Sequence, residues 1–314
     1  MGIRAAFGLY EQTIDREVSV AGVGLHSGRG VNMTIRPADA GAGITFRRLD
    51  REGAAVPAAL SAVVDAQLAT TLAANGVSVA TTEHLLGSLA GLGIDNAVIE
   101  LDEGEVPIMD GSARPFVRLL KKAGVRRQGL RRRFLRITRP LEVRDGDAWI
   151  AVSPYEGFKV SYTIDFAHRL INRQEFSLEL SPQAFAREIS GARTFGFLSE
   201  VERLRQLGKG LGGSLANAVV LSPEEVLNVE GLRYADEFVR HKILDLVGDL
   251  ALLGHCLLGH VQAHKTGHRQ HLELLAAIRR QPDAWEIVGP DELPLAMTPP
   301  AALAGRSCSA PARL

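Results

Sequence analysis

The chain contains 314 residues, of which 46% are hydrophobic and 23% are charged. This length and composition indicate a globular protein of about two domains and exclude disorder as the dominant state. The 36 basic and 36 acidic residues balance, so the chain lacks the long-range attraction for polyanions that is typical of nucleic-acid binders. We therefore expect no nucleic-acid partner, and no obligate protein partner is evident.

The cysteines and the N-terminal residues indicate in which cellular compartment the protein works. Cys256 and Cys308 are too few and too far apart for a disulfide framework. The first 18 residues lack the long apolar segment of a secretory signal, because Glu11 and Asp15 interrupt it. No stretch approaches the roughly 20 apolar residues that span a bilayer. Together these features predict a cytoplasmic protein.

The sequence of the first third of the chain predicts a β-rich segment followed by two short helices. Residues 17–64 contain short alternating apolar runs separated by Gly, Pro and Asp. Residues 81–92 carry leucines at helical spacing, with Thr81 or Thr82 as the N-cap and Gly93 at the end. The remaining predicted elements of this part are a strand over 96–101, a turn over 107–111 and a helix over 113–123.

A strongly basic segment follows the second helix. Residues 121–139 contain nine basic side chains and no acidic one. We interpret this segment as a solvated linker and strand edge, with attraction to an anionic membrane surface or a polyphosphate as the alternative. The boundary placed here divides the chain into an N-terminal α+β domain over 1–125, a C-terminal α+β domain over 126–298, and a mobile tail over 299–314 that is rich in Pro and Ala.

The second domain alternates predicted strands and helices. A glycine-rich segment over 208–214 leads into a strand, and the longest predicted helix covers 236–258. The other predicted elements are strands over 141–143, 148–152, 158–166 and 218–221 and a helix over 268–280.

The histidines are concentrated near the end of this domain, where six of the nine lie between His241 and His271. His241 and Asp245 are four residues apart, so on a helix they share one face about 6 Å from each other, which suits two ligands of one ion. Asp249 continues the same face one turn later. A row of this kind among apolar residues is costly to bury without a partner. An exposed polar face is the alternative interpretation.

A second candidate pair, Glu83 and His84, lies in the first turn of the helix over 81–92. The helix N-terminus keeps His84 neutral and available as a ligand, and Glu83 beside it could take a proton from a water at the metal. Ordinary capping electrostatics is the alternative. With His241 and Asp245 the set becomes two histidines and one carboxylate, which is common for catalytic zinc.

His268 begins the final predicted helix, next to a glycine. It could act as a protonated donor if a carboxylate orients it, and Asp249 is the natural partner. The alternative is a surface histidine that caps the helix. We expect His271, one turn later, to be a surface helix residue rather than an additional donor.

Seven motifs resemble those of one known family, the UDP-3-O-acyl-N-acetylglucosamine deacetylases, in order along about residues 18–292. They are Thr82-Glu83-His84-Leu85, Gly91-Leu92-Gly93-Ile94-Asp95-Asn96, Pro107-Ile108-Met109-Asp110-Gly111-Ser112, Ala192-Arg193-Thr194-Phe195-Gly196-Phe197, Gly212-Gly213-Ser214, His241-Lys242-x-x-Asp245 and Lys265-x-Gly267-His268. The resemblance implies two α+β domains, each a small sheet layered on helices, with the site in the cleft between them. It also implies removal of acetate from a UDP-linked acylated glucosamine, the committed step of lipid A biosynthesis in a Gram-negative cytoplasm.

Carried over to this sequence, the resemblance implies zinc bound by His84, His241 and Asp245, with Glu83 as general base and His268 as general acid. Two imidazoles and a carboxylate also suit ferrous iron. The further residues that the resemblance implies are Thr194 at the developing oxyanion, Phe195 near the sugar, Lys242 and Lys265 near the diphosphate, Gly213 and Ser214 in substrate binding, and an acyl-chain passage formed by Leu198, Val201, Leu204, Leu211, Ala218 and Val220.

The sequence departs from the family pattern in places near the expected substrate. Residues 215–217 lack an acidic residue that commonly follows the serine, His264 stands where an aromatic ring is usual, and residues 269–271 also differ. Two alternatives therefore remain open: a zinc amidohydrolase of a different acylated or nucleotide-sugar substrate, and a catalytically silent nucleotide-sugar binding protein of the same fold.

Overall fold

The computed structural model describes residues 7–293, and the predicted mobile tail over 299–314 lies outside them. Helices and small sheets alternate along the chain, so the predicted α+β class is confirmed. The helices of eight or more residues in this range are α1 Glu83–Leu92, α2 Arg114–Ala123, α3 Leu198–Gln206, α4 Glu237–Leu250 and α5 His268–Arg280. None of the helices within residues 7–293 combines the length and apolar character that a bilayer crossing requires.

The strands are short and are distributed among several separate sheets. Their bounds are β1 Tyr10–Ile14, β2 Val18–Val23, β3 Gly30–Pro37, β4 Ile44–Arg48, β5 Ala54–Pro57, β6 Val63–Asp65, β7 Thr71–Ala74, β8 Val77–Val79, β9 Ala97–Leu101, β10 Val125–Arg131, β11 Phe134–Ile137, β12 Leu141–Asp145, β13 Ala148–Ser153, β14 Phe158–Asp165, β15 Arg173–Glu179, β16 Phe195–Phe197, β17 Val219–Leu221, β18 Cys256–His264 and β19 Trp285–Val288.

The first part of the chain forms a five-stranded sheet in the order β2-β3-β9-β4-β5. Its pairs are antiparallel except for β4 and β9. Strand β3 alternates its side chains across the sheet, so Val31, Met33 and Ile35 are buried. Strands β6, β7 and β8 form a separate three-stranded sheet. The predicted β-rich segment is confirmed.

The second large sheet contains seven strands and is organised around β18. One side of β18 pairs antiparallel with β13, and the other side pairs in parallel with β11 and then β14. The predicted strands over 141–143, 148–152 and 158–166 correspond to β12, β13 and β14, and the one over 218–221 corresponds to β17.

The predicted helix over 236–258 is wrong in its second half. Helix α4 ends at Leu250, a short turn of 3-10 helix follows, and Gly254 takes a left-handed conformation with φ 77°. The chain then continues as strand β18. The first residues of β18, 256–258, form an apolar run without polar alternation, so hydrophobicity alone cannot separate them from a buried helix.

The helices α1 and α4 cross at two glycines, and this crossing positions the site. A Cβ atom added at Gly248 would lie 2.1 Å from the carbonyl oxygen of Glu83, and one at Gly87 would lie 3.1 Å from the carbonyl oxygen of Leu244. The backbones therefore approach more closely than side chains would allow. Because Glu83 and His84 begin α1, the approach brings them against the middle of α4.

Helix α1 has the boundaries that its sequence predicts. Gly93 ends it in a left-handed conformation, and Thr82 is the N-cap residue. The Thr82 side chain does not cap the helix but donates its hydroxyl to the carbonyl oxygen of Thr70. Thr81 has φ 57°, which is uncommon for a β-branched residue, and donates its hydroxyl to Glu105. The entry into α1 is thus fixed by bonds to neighbouring loops.

Candidate active site

Three of the predicted ligands meet where α1 crosses α4. The Nε2 atoms of His84 and His241 lie 3.5 Å and 3.3 Å from the same oxygen, Oδ1 of Asp245. The two imidazole rings are nearly perpendicular, with centroids 4.9 Å apart. All three residues are buried. His241 and Asp245 therefore lie on one face of α4, as expected, and His84 joins them from the other half of the chain.

These distances fit a tetrahedral cation. Bond lengths of about 2.0–2.1 Å from zinc to imidazole nitrogen or carboxylate oxygen imply ligand-to-ligand separations of about 3.3–3.5 Å. The separations at Asp245 Oδ1 are 3.3 Å and 3.5 Å, too long for good hydrogen bonds and right for the edges of such a tetrahedron. The three residues present thus form a candidate metal site, and the donor set of two imidazoles and one carboxylate suits a divalent cation.

The neighbours of the ligands hold them in the state that binds a cation. The carbonyl oxygen of Ala192 accepts from His241 Nδ1 at 3.1 Å, which turns Nε2 toward Asp245. Burial lowers the pKa of His241 to about 4, so the imidazole is neutral. Although burial alone would raise the pKa of Asp245, the charge of Lys242 outweighs it and holds this pKa well below its usual range. Lys242 Nζ lies 2.8 Å from Asp245 Oδ2.

Glu83 lies beside this cluster at the start of α1. Its Oε2 accepts from the backbone N–H of Thr70 at 3.0 Å. Its Oε1 lies 3.8 Å from Nε2 of His268, beyond hydrogen-bond distance. Burial raises the pKa of Glu83, which moves this carboxylate toward the range of an effective general base.

His268 is paired with Asp249, as the sequence predicts. Their separation is 2.7 Å between Nδ1 and Oδ2. Burial opposes the charge on His268, but the charge and hydrogen bond of Asp249 outweigh it and raise the pKa of His268 to about 9. The imidazole is therefore protonated at neutral pH, with its Nε2–H toward Glu83. The expectation that His271 is a surface residue is wrong: it is 0% exposed and also contacts Asp249.

Sequence reasoning missed Thr70, which joins the two halves of the site. It precedes β7, and its hydroxyl donates to Asp249 Oδ1 at 2.6 Å while its backbone N–H binds Glu83. Threonine next to threonine at the start of a strand is ordinary, so no pattern in the sequence distinguishes it. Tyr162 and Thr266, which contact His271, were also missed, because no pattern in the sequence distinguishes them.

Thr194 and Phe195 belong to a segment that is anchored next to His241. Thr194 donates its N–H to the carbonyl oxygen of Gly111 at 2.8 Å. The ring of Phe195 packs edge-on against His241, with centroids 6.3 Å apart. Arg193, between Ala192 and Thr194, forms a buried ion pair with Glu237 at 2.9 Å. This pair ties the segment to the first turn of α4.

Lys265, Gly213 and Ser214, which are also expected to bind substrate, are held by contacts outside the cluster of His84, His241 and Asp245. Lys265 forms ion pairs with Asp147 at 2.8 Å and Asp165 at 3.3 Å. Gly213 and Ser214 belong to a loop that packs on the glycine-rich turn after β2, where the N–H of Gly212 donates to the carbonyl oxygen of Leu25. This docking joins the C-terminal half of the chain to the first sheet.

Taken together, a buried site of two imidazoles and a carboxylate, beside a glutamate and a protonated histidine, defines a metal-dependent hydrolase. A profile of the family described as UDP-3-O-acyl N-acetylglycosamine deacetylase matches residues 11–280 of the chain. The chain belongs to this family.

Curated relatives show the same likeness over almost their whole length. The UDP-3-O-acyl-N-acetylglucosamine deacetylase of Acidithiobacillus ferrooxidans is 50% identical over 281 residues, which cover 88% of this chain and 92% of that protein. Proteins of the same name from Idiomarina loihiensis and a Shewanella species are each 49% identical, over 90% and 89% of this chain and 94% and 93% of their own.

Proposed function

We propose that the chain is a zinc-dependent amidohydrolase that removes acetate from UDP-3-O-acyl-N-acetylglucosamine, the committed step of lipid A biosynthesis. The observation that carries this proposal is the meeting of His84, His241 and Asp245 at tetrahedral spacing beside Glu83 and His268. The family to which the chain belongs supports the substrate. Ferrous iron suits the same ligands and is the alternative metal in the cell.

The chain's own residues divide the chemistry of amide hydrolysis between them. Zinc, when bound, lowers the pKa of water from about 15.7 to about 7 and polarises the acetyl carbonyl. Glu83 takes a proton from the attacking water while the water oxygen bonds to the carbonyl carbon. The hydroxyl of Thr194 donates to the developing oxyanion, an interaction whose loss typically costs about 10²- to 10³-fold in rate. His268 gives its Nε2 proton to the amide nitrogen as the C–N bond breaks, releasing acetate and an amine.

Asp249 acts through His268, and this division of labour explains why two carboxylates are needed. It orients the imidazole through Nδ1 and favours its protonated form. Glu83 accepts a proton during the attack of water, and His268 already carries the proton that the leaving nitrogen needs, so the two proton transfers use separate groups. The distance of 3.8 Å between Glu83 Oε1 and His268 Nε2 keeps the two groups from neutralising each other through a hydrogen bond.

Substrate recognition is assigned to residues around this centre. Phe195 packs near the sugar, while Lys242 and Lys265 approach the diphosphate as compact charges, and Gly213 and Ser214 line the same approach. The acyl chain follows an apolar passage along α3. In support, α3 has no buried residue, and Leu198 and Leu211 are 47% and 53% exposed, an unusual apolar surface for a helix and loop beside an active site.

We further propose that the chain has the two α+β domains expected from its sequence, 1–125 and 126–298, and works in the cytoplasm of a Gram-negative bacterium. The exposed basic residues of 121–139 would allow transient contact with the inner membrane, but Arg132 is not among them, because it is buried in an ion pair with Asp95. Strand β10, which lies within this segment, is mostly exposed and pairs with β1. That exposure leaves its arginines accessible to anionic headgroups.

Acetate release and metal content of the purified protein test the proposal together. We expect one equivalent of zinc or iron and acetate release from UDP-3-O-acyl-N-acetylglucosamine that is abolished by chelation and by Glu83→Gln. A substrate without its fatty chain should react far more slowly. Equal rates on both substrates would indicate a different amide substrate, and absence of turnover by the metal-loaded protein would indicate a binding protein.

A further inference from the structure

His271 lies one helical turn after His268 and is fully buried. Its Nδ1 is 2.8 Å from Oδ2 of Asp249, the same oxygen that Nδ1 of His268 approaches at 2.7 Å. The other oxygen of Asp249, Oδ1, accepts the hydroxyl proton of Thr70 at 2.6 Å. Asp249 thus has three donors, and two of them are imidazoles.

The ionisation of Asp249 fixes where the protons are. Burial opposes the charge, but His268 and His271 outweigh it and hold the pKa of Asp249 at about 2. An ionised carboxylate only accepts hydrogen bonds, so both Nδ1 atoms carry protons. Burial lowers the pKa of His271, so its ring is neutral and its Nε2 is an acceptor.

The far side of the His271 ring is held by two hydroxyl groups. Its Nε2 lies 3.1 Å from the hydroxyl of Tyr162 and 3.4 Å from that of Thr266. The Tyr162 hydroxyl donates to the carbonyl oxygen of Thr266 at 2.8 Å and lies 2.9 Å from the Thr266 hydroxyl, so one phenolic proton is shared among these acceptors and the Thr266 hydroxyl is the second donor available to Nε2. The ring is therefore held at both nitrogens, from β14 on one side and from α4 on the other.

We propose that His271 is a positioning residue for the general acid, which it serves by holding the carboxylate of Asp249 in place opposite His268. Thr70 fixes one carboxylate oxygen and His271 fixes the other, so the carboxylate cannot rotate about its Cβ–Cγ bond away from Nδ1 of His268. This inference rests on the proposed role of His268 as the acid and adds a residue that never touches the substrate.

Packing alone does not account for the arrangement. A buried imidazole with both nitrogens in hydrogen bonds is a specific polar connection, whereas a residue that only fills space needs no donor toward Asp249. The charged groups that face His268 are Asp249 and Asp245 from α4 and Glu83 from α1. Of these, Asp249 is the one whose orientation His271 controls.

The test is a pair of variants with side chains of nearly equal shape, His271→Asn and His271→Leu. The asparagine amide nitrogen occupies the place of Nδ1 and can still donate to Asp249, whereas leucine cannot. We expect His271→Leu to lower kcat about 10- to 100-fold with KM within twofold, because a buried hydrogen bond to a charged group is lost. The alkaline limb of its pH profile should move to lower pH. His271→Asn should restore most of the kcat and return the alkaline limb toward its original pH.

The control is His260→Leu, the same change at a half-buried histidine of β18 that bonds to Ser161 instead; it should leave kcat and the pH limb unchanged. Equal kcat for His271→Leu and the unaltered enzyme, or equal losses in the Leu and Asn variants, would overturn the inference. If His271→Leu does not fold, Tyr162→Phe decides: it leaves the ring in place but removes the nearer of the two hydroxyl groups at Nε2, so a several-fold lower kcat supports the inference and an unchanged kcat overturns it.

The proposed function and the role of His271 are contradicted by different results. Absence of acetate release by the unaltered, metal-loaded enzyme would overturn the proposed function. An active enzyme whose His271→Leu variant is equally active would overturn only the role of His271.

Discussion

The two clusters on successive turns of α4 contain the same residue types and differ in what their atoms converge on. In the first, His84 and His241 lie 3.5 Å and 3.3 Å from Asp245 Oδ1. In the second, the two imidazole nitrogens lie 2.7 Å and 2.8 Å from one oxygen of Asp249. The shorter distances are those of hydrogen bonds, and the longer ones match the edges of the coordination polyhedron that a bound cation would have.

Spacing along a helix does not by itself decide what a histidine and a carboxylate do. His241-x-x-x-Asp245 and the Asp249 to His268 pair both place an imidazole beside a carboxylate. What separates them is the partner on the remaining atoms. Lys242 takes the second oxygen of Asp245 and leaves Oδ1 facing only ligand nitrogens, whereas Thr70 and His271 use the acceptor sites of Asp249.

The largest effect should follow from removing a ligand of the first cluster. His241→Ala is expected to lose the metal and to abolish acetate release, because two ligands remain and Asp245 loses a neighbour that stabilises its charge. Metal content and turnover measured on the same preparation check this. His260→Ala serves as the matched control, and full metal occupancy in His241→Ala would contradict the assignment.

Removing the acid of the second cluster should leave the metal in place. For His268→Ala we expect normal metal content and a kcat about 10²- to 10⁴-fold lower, the usual contribution of general acid catalysis. Elemental analysis beside steady-state kinetics makes the measurement. Loss of metal from this variant would mean that the two clusters are not separate.

The glycine crossing that holds the clusters together can be tested through stability. Gly248→Ala would place a Cβ atom 2.1 Å from the carbonyl oxygen of Glu83, so α1 must move away from α4. We expect the free energy of unfolding to fall by about 1–3 kcal/mol, with weaker metal binding. Gly129→Ala, where an added Cβ meets no atom within 4 Å, is the control. Equal denaturant midpoints for both variants would refute the role of the crossing.

The smallest effect is a dependence on pH. The pKa of His268 is raised to about 9 by Asp249, so the protonated acid is present below that pH and is lost above it. The value of kcat should therefore fall about tenfold per pH unit at the alkaline end. A kcat profile from pH 6 to 10.5 checks this, with His268→Ala as the reference that lacks the limb. An alkaline limb that persists unchanged in that variant would assign the titration to another group.

Much of the site could be predicted because its residues follow local rules. His241 and Asp245 share a helix face, Glu83 and His84 open a helix that its leucines and Gly93 define, and the family motifs supply the rest. The hydrogen-bond partners could not be predicted, since Thr70 and Tyr162 come from distant strands and carry no periodic signal. The end of α4 was misplaced because the first residues of β18, 256–258, are as apolar as a helix core.

An anomalous-scattering map from crystals grown with zinc tests the central claim most directly. The account predicts one strong peak within about 2.0–2.2 Å of His84 Nε2, His241 Nε2 and Asp245 Oδ1. A peak held instead by Asp249, His268 and His271, with none at the first cluster, would contradict it.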